Sequence, residues 1–345
     1  MMKAMILTAP STLAVVETTT PPVGDDEVLL RVRACGICGS DLHGWDGSSG
    51  RRQPPLIMGH ELAGEIAAIG TAVNGWAVGD RVTVDSTLYC GACDACREGH
   101  VNLCRERRVL GVATAEFRQN GGFAEFVAVP ARGLYRLPDT LSWTHAAMVE
   151  PVSIAVHAVR RVENIPSATA VVVGAGMIGL LVIQALRWAG ARQIIAVDLE
   201  PARLDLARQL GATHTLLSGR DDVSGAVAEL TAGRGADVAL EVVGLDPTVR
   251  LAIDVVRRGG DVVLVGNLAP SVTLPLQAVV TRELTLRGSC GSAGEYPLCL
   301  DLIARGEVNV APLIAAVAPL DEGPEWFRRL TAPGGGGVLK VVLQP

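Results

Sequence analysis

The chain has 345 residues, which is enough for two domains with separate hydrophobic cores. Its formal net charge of −6 gives no basic field for nucleic acid, and abundant Gly, Ala, Val and Leu with only 3% aromatics are typical of α/β proteins with buried parallel strands. The first residues lack the long apolar core of a signal peptide, so we expect a cytoplasmic protein with no membrane partner.

Residues 1 to about 150 have the pattern of a β-rich region. Short alternating apolar runs at residues 27–32, 81–84 and 123–129 are separated by clusters of Gly, Pro, Asp and Asn. The apolar run within residues 1–16 is interrupted by Pro10 and polar residues, which also favours strands. We therefore predict a β-rich first half.

Four cysteines within this half have the spacing of a metal site. Cys90, Cys93 and Cys96 can turn three thiolates toward one point, and Cys104 can close a tetrahedron. Four thiolates suit Zn²⁺ and leave no open position, so we predict a structural zinc. Disulfides are disfavoured because disulfide scaffolds are short secreted chains, and redox chemistry at one Cys-x-x-Cys pair would leave two cysteines unexplained.

From about residue 152 to 286 strands and helices alternate. Strands are predicted at residues 170–173, 193–197, 238–242 and 261–265, with helices between them, for example at 178–189 and 201–210. The uncharged stretch 169–186 is long enough to resemble a membrane span, but a Gly-rich turn divides it into a strand and a helix. The alternation predicts a parallel sheet with helices on both faces.

The Gly-rich turn has the spacing of a dinucleotide-binding turn. Gly174, Gly176 and Gly179 follow a strand and open a helix, where free N–H groups can bind a pyrophosphate. Asp198 ends the next strand and can accept hydrogen bonds from the ribose hydroxyls, which favours NAD over NADP. The alternative is that Asp198 only caps the following helix. The residues expected at the cofactor are Gly174, Gly176, Met177, Ile178, Gly179, Asp198 and Arg203.

The last part of the chain returns to mixed structure. A helix is predicted at residues 296–305 and a closing strand at 338–343, with residues 334–337 forming a turn before that strand.

Cys38, His60 and Glu150 have the chemistry of an open zinc site, although they lie far apart in the sequence. A thiolate, an imidazole and a carboxylate leave one coordination position for substrate. Spacing alone does not join these residues, since a single Cys or His usually lies in a protein core.

Taken together, these segments resemble the zinc-dependent medium-chain dehydrogenases, in the branch of the sorbitol, 2,3-butanediol and threonine enzymes. The resemblance covers nearly the whole chain through residues 35–43 (Cys-Gly-Ile-Cys-Gly-Ser-Asp-Leu-His), 59–61 (Gly-His-Glu), 78–82 (Val-Gly-Asp-Arg-Val), the four cysteines, 121–126 (Gly-Gly-Phe-Ala-Glu-Phe), 150–151 (Glu-Pro) and the dinucleotide turn. It implies a GroES-like catalytic domain at 1–151 and 287–345, a Rossmann domain at 152–286, and a homo-oligomer that is a dimer or a tetramer.

The resemblance also implies roles for individual residues. Cys38, His60 and Glu150 match the ligands of a catalytic zinc, and Glu61 matches a residue that stays beside the metal and can exchange onto it. Ser40 and His43 match a proton relay. With the structural zinc at Cys90, Cys93, Cys96 and Cys104, this gives two zinc ions per chain, together with NAD.

The expected activity is the reversible NAD-linked oxidation of a secondary alcohol, namely a polyol, cyclitol or vicinal diol, to a ketone. Residues 288–294 lack the Arg that touches the polyol in sorbitol dehydrogenases, which argues against sorbitol itself. An L-threonine 3-dehydrogenase-like activity is the alternative, and a non-enzymatic zinc-binding protein is a third hypothesis. A zinc-free quinone or enone reductase of the same fold would lack Cys38, His60, Glu150 and the cysteine cluster.

Overall fold

The computed structural model describes residues 1–332 and 337–345. The predicted turn at 334–337 therefore lies outside the described residues except for Gly337. Up to the fourth helix the elements are β1 (Met2–Ala9), β2 (Thr12–Thr18), β3 (Glu27–Gly36), α1 (Gly39–Leu42), β4 (Leu56–Ile57), β5 (Glu61–Ile69), β6 (Arg81–Val84), β7 (Thr87–Leu88), α2 (Asp94–Arg97), β8 (Arg108–Val109), β9 (Val112–Ala113), β10 (Arg118–Gln119), β11 (Phe126–Pro130), β12 (Leu134–Arg136), α3 (Trp143–Ala147) and α4 (Val149–Arg160).

The rest of the chain starts with alternating strands and helices. Its elements are β13 (Thr169–Val173), α5 (Met177–Trp188), β14 (Gln193–Asp198), α6 (Pro201–Gln209), β15 (His214–Leu217), α7 (Val223–Leu230), β16 (Ala236–Glu241), α8 (Asp246–Val255), β17 (Val256–Leu264), α9 (Leu276–Thr281), β18 (Thr285–Gly288), α10 (Tyr296–Ala304), β19 (Ile314–Pro319), α11 (Gly323–Thr331) and β20 (Lys340–Gln344). Short 3₁₀ helices occur at Val101–Leu103, Ala131–Gly133, Ala311–Leu313 and Leu320–Glu322.

The described residues separate into two compact units. The first unit comprises Met1–Glu150, Ser292–Arg305 and Val310–Pro345, and the second comprises Pro151–Gly291 and Gly306–Asn309. The first unit is built on a mixed sheet in the order β12-β6-β5-β3-β20-β19, and β11 also pairs with β3. Strand β3 alternates between buried and more exposed positions before it becomes fully buried at its end, which anchors one core on this sheet.

The second unit is a parallel sheet in the order β15-β14-β13-β16-β17-β18. Counted from β13, this is the 3-2-1-4-5-6 order of the Rossmann fold. All five residues of β13 are buried, because a central parallel strand is covered on both faces. After β13 the chain adds β14 and β15 on one side of this strand and then crosses to β16 on its other side. Ligands usually bind at the carboxyl ends of the strands where the strand order reverses in this way, which here is the carboxyl end of β13.

These observations confirm the predicted α/β fold with its parallel sheet. The predicted strand at 170–173 and helix at 178–189 are β13 and α5, so the uncharged stretch 169–186 is divided as expected. The predicted strand at 123–129 begins only at Phe126. Phe123 is buried, and its N–H donates to the carbonyl of Met58 in the loop between β4 and β5. It therefore does not pair with β3, as the residues of β11 do. Within residues 1–332 and 337–345, every helix is too short or too polar to cross a bilayer.

A buried ion pair links two strands of the first unit. Lys340 Nζ on β20 donates to both carboxylate oxygens of Glu61 on β5, at 2.7 and 2.6 Å, and to the Ile37 carbonyl at 3.0 Å. Burial alone would lower the pKa of Lys340, but the Glu61 carboxylate outweighs it and raises this pKa. Lys340 therefore stays protonated inside the protein.

Lys340→Met should destabilise the protein strongly, because it leaves the Glu61 carboxylate buried without its cation. We expect a loss of about 3–5 kcal/mol in the free energy of unfolding, measured by urea titration. Arg33→Met is the matched control, since Arg33 pairs with Glu65 at 3.1 Å near the surface and should cost less than about 1 kcal/mol. Equal losses in the two variants would contradict this account.

Candidate active site and zinc centres

The four predicted cysteines come together in the first unit. Their sulfur atoms all lie within 4.8 Å of one another, with Cys90 and Cys96 3.9 Å apart and Cys93 and Cys96 3.5 Å apart. Four thiolates at 2.3 Å from a tetrahedral zinc are separated by about 3.8 Å, whereas a disulfide needs about 2 Å. The cluster therefore fits a zinc ion and does not fit disulfides.

Backbone donors favour the thiolate form at two of these cysteines, Cys90 and Cys93. The N–H groups of Ala92 and Cys93 point at Cys90 Sγ, at 3.4 and 3.3 Å, and lower the pKa of this thiol. The backbone of Arg105, and then that of Cys96, lowers the pKa of Cys93 to about 6. The thiolate is the form that binds metal, so these donors favour the binding form at Cys90 and Cys93, whereas burial raises the pKa of Cys96 to about 12.

A second candidate metal group consists of Cys38, His60 and Glu61, whose ligand atoms lie within 4.8 Å of one another. Cys38 follows β3 and directly precedes α1, while His60 and Glu61 lie at the start of β5, the neighbour of β3. Gly59 has φ +94°, and a Cβ there would lie 2.8 Å from both Cys35 Sγ and Phe123 Cδ1. The close packing of this turn explains why Gly precedes the His-Glu pair.

Asp41 and Arg52 surround His60 with buried charge. Asp41 is fully buried; its Oδ1 lies 3.5 Å from His60 Nδ1 and accepts from Arg52 Nη2 at 3.0 Å. Burial alone would raise the pKa of Asp41, but His60 and then Arg52 outweigh it and hold this pKa well below its usual range. A carboxylate beside one ring nitrogen leaves the other nitrogen as the metal ligand, an arrangement common at zinc histidines.

Glu61 belongs to this group but is already neutralised by Lys340. Its backbone pairs with Gly36 on β3, and a Cβ at Gly36 would lie only 2.1 Å from Glu61 Oε2. Gly36 therefore makes the space in which the Glu61 carboxylate meets Lys340.

Glu150 lies outside the three-residue group but is near it. It occupies the first turn of α4, is buried, and accepts from Ser86 Oγ at 3.0 Å. Burial raises the pKa of Glu150; His60 opposes this effect and the charge of Glu61 adds to it. Burial also raises the pKa of nearby Asp85 to about 7. Buried carboxyl groups that resist ionisation in this way are the donors that a divalent cation stabilises.

Ser40 and His43 lie on and just after the short helix α1. Both side chains are exposed, and Ser40 Oγ accepts a hydrogen bond from Arg52 Nη2 at 3.2 Å. His43 is the C-terminal cap of α1, and its carbonyl accepts from Ser48 Oγ at 3.1 Å. The turn therefore places a hydroxyl and an imidazole two residues and five residues after Cys38.

The dinucleotide turn of the second unit has the geometry its sequence predicts. Gly174 has φ +102°, and a Cβ at Gly179 would lie 1.9 Å from the Gly174 carbonyl oxygen, so the strand and helix approach too closely for a side chain. By contrast, a Cβ at Gly176 would meet no atom within 4 Å. Met177 and Ile178 open α5 beside this open space. The turn thus leaves room for a phosphate at a helix N-terminus.

Asp198 ends β14 but its carboxylate is more constrained than expected. Its Oδ2 accepts from the Ala175 N–H at 2.6 Å and its Oδ1 from the Glu200 N–H at 2.9 Å. Arg203 Nη1 lies 3.8 Å from Oδ1, because the first turn of α6 brings it back toward the strand end. A positive charge therefore stands beside Asp198, at Arg203, which the sequence analysis also expects near the cofactor.

Sequence profiles agree with this arrangement. The Alcohol dehydrogenase GroES-like domain matches residues 24–139, and the Zinc-binding dehydrogenase domain matches residues 178–305. Sorbitol dehydrogenase of Bacillus subtilis (strain 168) is 35% identical over 349 residues, which cover 100% of this chain and 97% of that protein. The chain belongs to the zinc-binding dehydrogenase family.

Solved structures of this family have the same fold. The 2R,3R-butanediol dehydrogenase from Bacillus subtilis has a TM-score of 0.89 and 33% identity, covering 100% of both chains. A zinc-binding dehydrogenase from Sinorhizobium meliloti 1021 bound to NADP has a TM-score of 0.91 and 34% identity, covering 100% of this chain and 99% of the other. The predicted fold class and the medium-chain dehydrogenase resemblance are therefore confirmed, and the protein is an oxidoreductase with zinc and a nicotinamide dinucleotide as family cofactors.

Sequence reasoning missed several residues of this zinc-binding dehydrogenase. Arg52, Asp41, Lys340 and Ser86 all contact predicted site residues. Lys340 carried a signal, since a lone cation inside the apolar strand 338–343 requires a buried partner. No feature of the sequence predicted the contact between Asp41 and Arg52, because this contact depends on how the loop after α1 folds back.

Two zinc ions per chain are expected, with separate roles. Cys93→Ser should lose one zinc and lower the melting temperature, whereas Cys38→Ser should lose activity while the fold is kept. Elemental analysis and thermal unfolding measure both effects. Cys290→Ser, which changes an exposed cysteine outside both groups, should keep two zinc ions. A metal-replete wild-type chain that holds at most one zinc would rule out the two-site arrangement.

The two glycines of the dinucleotide turn should respond differently to a methyl group. Gly179→Ala forces a clash with the Gly174 carbonyl and should lower the melting temperature by several degrees or prevent folding. Gly176→Ala should keep the wild-type melting temperature but weaken NADH binding about tenfold or more, because the methyl group fills the phosphate space. Thermal unfolding and fluorescence titration with NADH test this, and equal melting temperatures would refute it.

Proposed function

We propose that this enzyme catalyses the reversible NAD-linked oxidation of a secondary alcohol with a neighbouring hydroxyl, in a polyol, cyclitol or short vicinal diol, to the ketone. The observation that carries the proposal is the group formed by half-buried Cys38 with buried His60 and Glu61, with Glu150 close by. Its thiolate, imidazole and carboxylate donors suit a zinc ion with an open position.

Cys38 and His60 would hold the catalytic zinc, with a carboxylate from Glu150 or Glu61 as the third ligand. Lys340 already binds both carboxylate oxygens of Glu61, whereas burial raises the pKa of Glu150, whose ionised carboxylate a metal ion would stabilise; this favours Glu150 as the ligand. When bound, zinc supplies a Lewis acid for the alcohol oxygen and the nicotinamide accepts a hydride.

Ser40 and His43 would remove the proton of the alcohol. Ser40 Oγ accepts this proton as its own hydroxyl proton leaves, and exposed His43 passes a proton to solvent. Exposure of both side chains on one short turn supports this order of transfer.

We assign the first unit as the GroES-like catalytic domain and the second as the NAD-binding Rossmann domain, with the boundaries after residue 151 and before residue 287 kept as predictions. A cytoplasmic location and a dimeric or tetrameric state also stay predictions. Three large apolar side chains in and just before α9, at Leu274, Leu276 and Val280, are exposed, which supports burial against a partner subunit.

NAD is the favoured cofactor because the Asp198 carboxylate would repel a 2′-phosphate. Arg203 weakens this argument by its place beside Asp198, and a structural relative was solved with NADP.

Relative catalytic efficiency with the two cofactors should favour NAD, and Asp198→Ala should reduce this preference about tenfold or more. Asp205→Ala is the control, since Asp205 is exposed and pairs with Arg208 on the same helix. An unchanged preference in Asp198→Ala would contradict the assignment.

A hydroxylated substrate fits the polar surroundings of the proposed metal site. Ser86 and Asp85 provide hydrogen-bonding groups beside Glu150, and a substrate without a matching hydroxyl would leave such groups unpaired. Relatives named sorbitol dehydrogenase, D-xylulose reductase and 2R,3R-butanediol dehydrogenase support the same class of substrate.

Matched substrate pairs test the proposal with NAD⁺ and the zinc-loaded enzyme. Catalytic efficiency should be higher for 2,3-butanediol than for 2-butanol, and higher for a polyol than for its deoxy analogue. L-Threonine belongs in the same panel, since its preference would indicate the amino-alcohol alternative. A preference for ethanol over every diol and polyol would rule out the proposed substrate class.

A further inference from the structure

The side chain of Arg52 connects the proposed proton relay to the proposed metal site. Its Nη2 donates both to Ser40 Oγ at 3.2 Å and to Asp41 Oδ1 at 3.0 Å, and its Nε reaches the same Oδ1 at 3.3 Å. Asp41 in turn faces His60 Nδ1 at 3.5 Å. One guanidinium therefore contacts the hydroxyl that takes the proton and the carboxylate beside a metal ligand.

Arg52 is held in place from several sides. It is only 4% exposed, its Nη1 donates to the Arg51 carbonyl at 3.2 Å, and its backbone forms a bridge with Ala113. A Cβ at Gly44 would lie 2.4 Å from Arg52 Cγ, so the absence of a side chain at Gly44 leaves room for the side chain of Arg52. Burying the charge of Arg52 costs desolvation free energy. A contact that only held the loop in place would not need a buried charge.

We propose that Arg52 is a positioning residue for the dehydrogenase reaction, which orients the Ser40 hydroxyl for proton transfer while it holds Asp41 against His60. The proposal rests on the proposed function, because it takes Ser40 as the group that accepts the alcohol proton.

The chemistry follows from the hydrogen-bonding capacity of a hydroxyl. Ser40 Oγ has two lone pairs and one proton. Arg52 Nη2 uses one lone pair, so the second lone pair is left to accept the alcohol proton and the O–H must point away from the guanidinium. As the alcohol proton arrives, the original serine proton leaves toward solvent, and Ser40 is unchanged at the end. The nearby positive charge stabilises the negative charge that develops on Ser40 Oγ as its own proton leaves.

The test compares Arg52→Gln with the adjacent exposed control Arg51→Gln, using NAD⁺ and 2,3-butanediol. We expect Arg52→Gln to lower kcat about 10- to 100-fold with KM changed less than about threefold, and to increase the solvent deuterium isotope effect on kcat, because proton transfer becomes limiting. Arg52→Lys should recover only part of the rate, since an ammonium cannot reproduce the forked contacts. Arg51→Gln should match the wild type.

Zinc content and NADH binding separate this role from a structural one. If Arg52→Gln loses activity only in proportion to the zinc it loses, with the same isotope effect per active site, Arg52 is structural and the proposal is wrong. If it keeps wild-type kcat and isotope effect, the proposal is also wrong. Ser40→Ala distinguishes the underlying function: wild-type rates in that variant would remove the relay itself, whereas a slow Ser40→Ala with a fast Arg52→Gln would overturn only the role of Arg52.

Gly44→Ala provides a second variant that keeps the guanidinium but displaces it. Gly44 has no left-handed backbone angle, so the added methyl group acts mainly through its 2.4 Å contact with Arg52 Cγ, and less through its contacts with Ser49 Oγ at 3.1 Å and the Ser40 carbonyl oxygen at 3.2 Å. We expect a lower kcat and a larger solvent isotope effect, in the same direction as Arg52→Gln, with both zinc ions retained. A stable Gly44→Ala with wild-type values of both would contradict the proposal.

Discussion

Charge buried without a partner is the constraint that organises the first unit. A carboxylate or a cation inside an apolar core costs several kcal/mol unless an opposite charge or hydrogen bonds accompany it. Glu61 meets Lys340, Asp41 meets Arg52, and Glu150 accepts from Ser86. Each of these pairs lies beside Cys38 or His60, so the residues that stabilise buried charge also hold the proposed ligands in position.

Sheet pairing explains how distant segments reach this site. Strand β3 lies between β5 and β20, so the residues at its end meet the start of β5 on one side and the last strand of the chain on the other. Gly36, Glu61 and Lys340 are thereby brought together across 304 positions of sequence. The last strand consequently contributes a buried cation, Lys340, to the proposed site.

The proposed cofactor site of the second unit depends mostly on residues that are close together in the sequence. Its dinucleotide turn depends on a strand, three glycines and a helix that are consecutive in the chain, and each glycine has a separate physical task. Residues farther along the chain complete its surroundings: Val243 packs against Gly174, and Arg203 is brought back beside Asp198 by the first turn of α6. The division of labour matches a dehydrogenase, in which one part binds the hydride acceptor and another prepares the alcohol.

The sequence by itself determined the elements whose signals are local. The Cys90–Cys104 spacing, the turn at Gly174–Gly179 and the alternating strands and helices could be read directly, because periodicity and short spacings fix local geometry. Cys38, His60 and Glu150 were joined only by family resemblance, since nothing local connects them. The resemblance also placed Glu61 beside Cys38 and His60, but tertiary structure alone decided that Lys340 binds Glu61 and that Arg52 links Ser40 to Asp41. Those contacts depend on the order of the strands in the sheet and on how the loop after α1 folds back. Both are fixed only in the folded protein, where each buried charge lies beside a partner that is distant in the sequence.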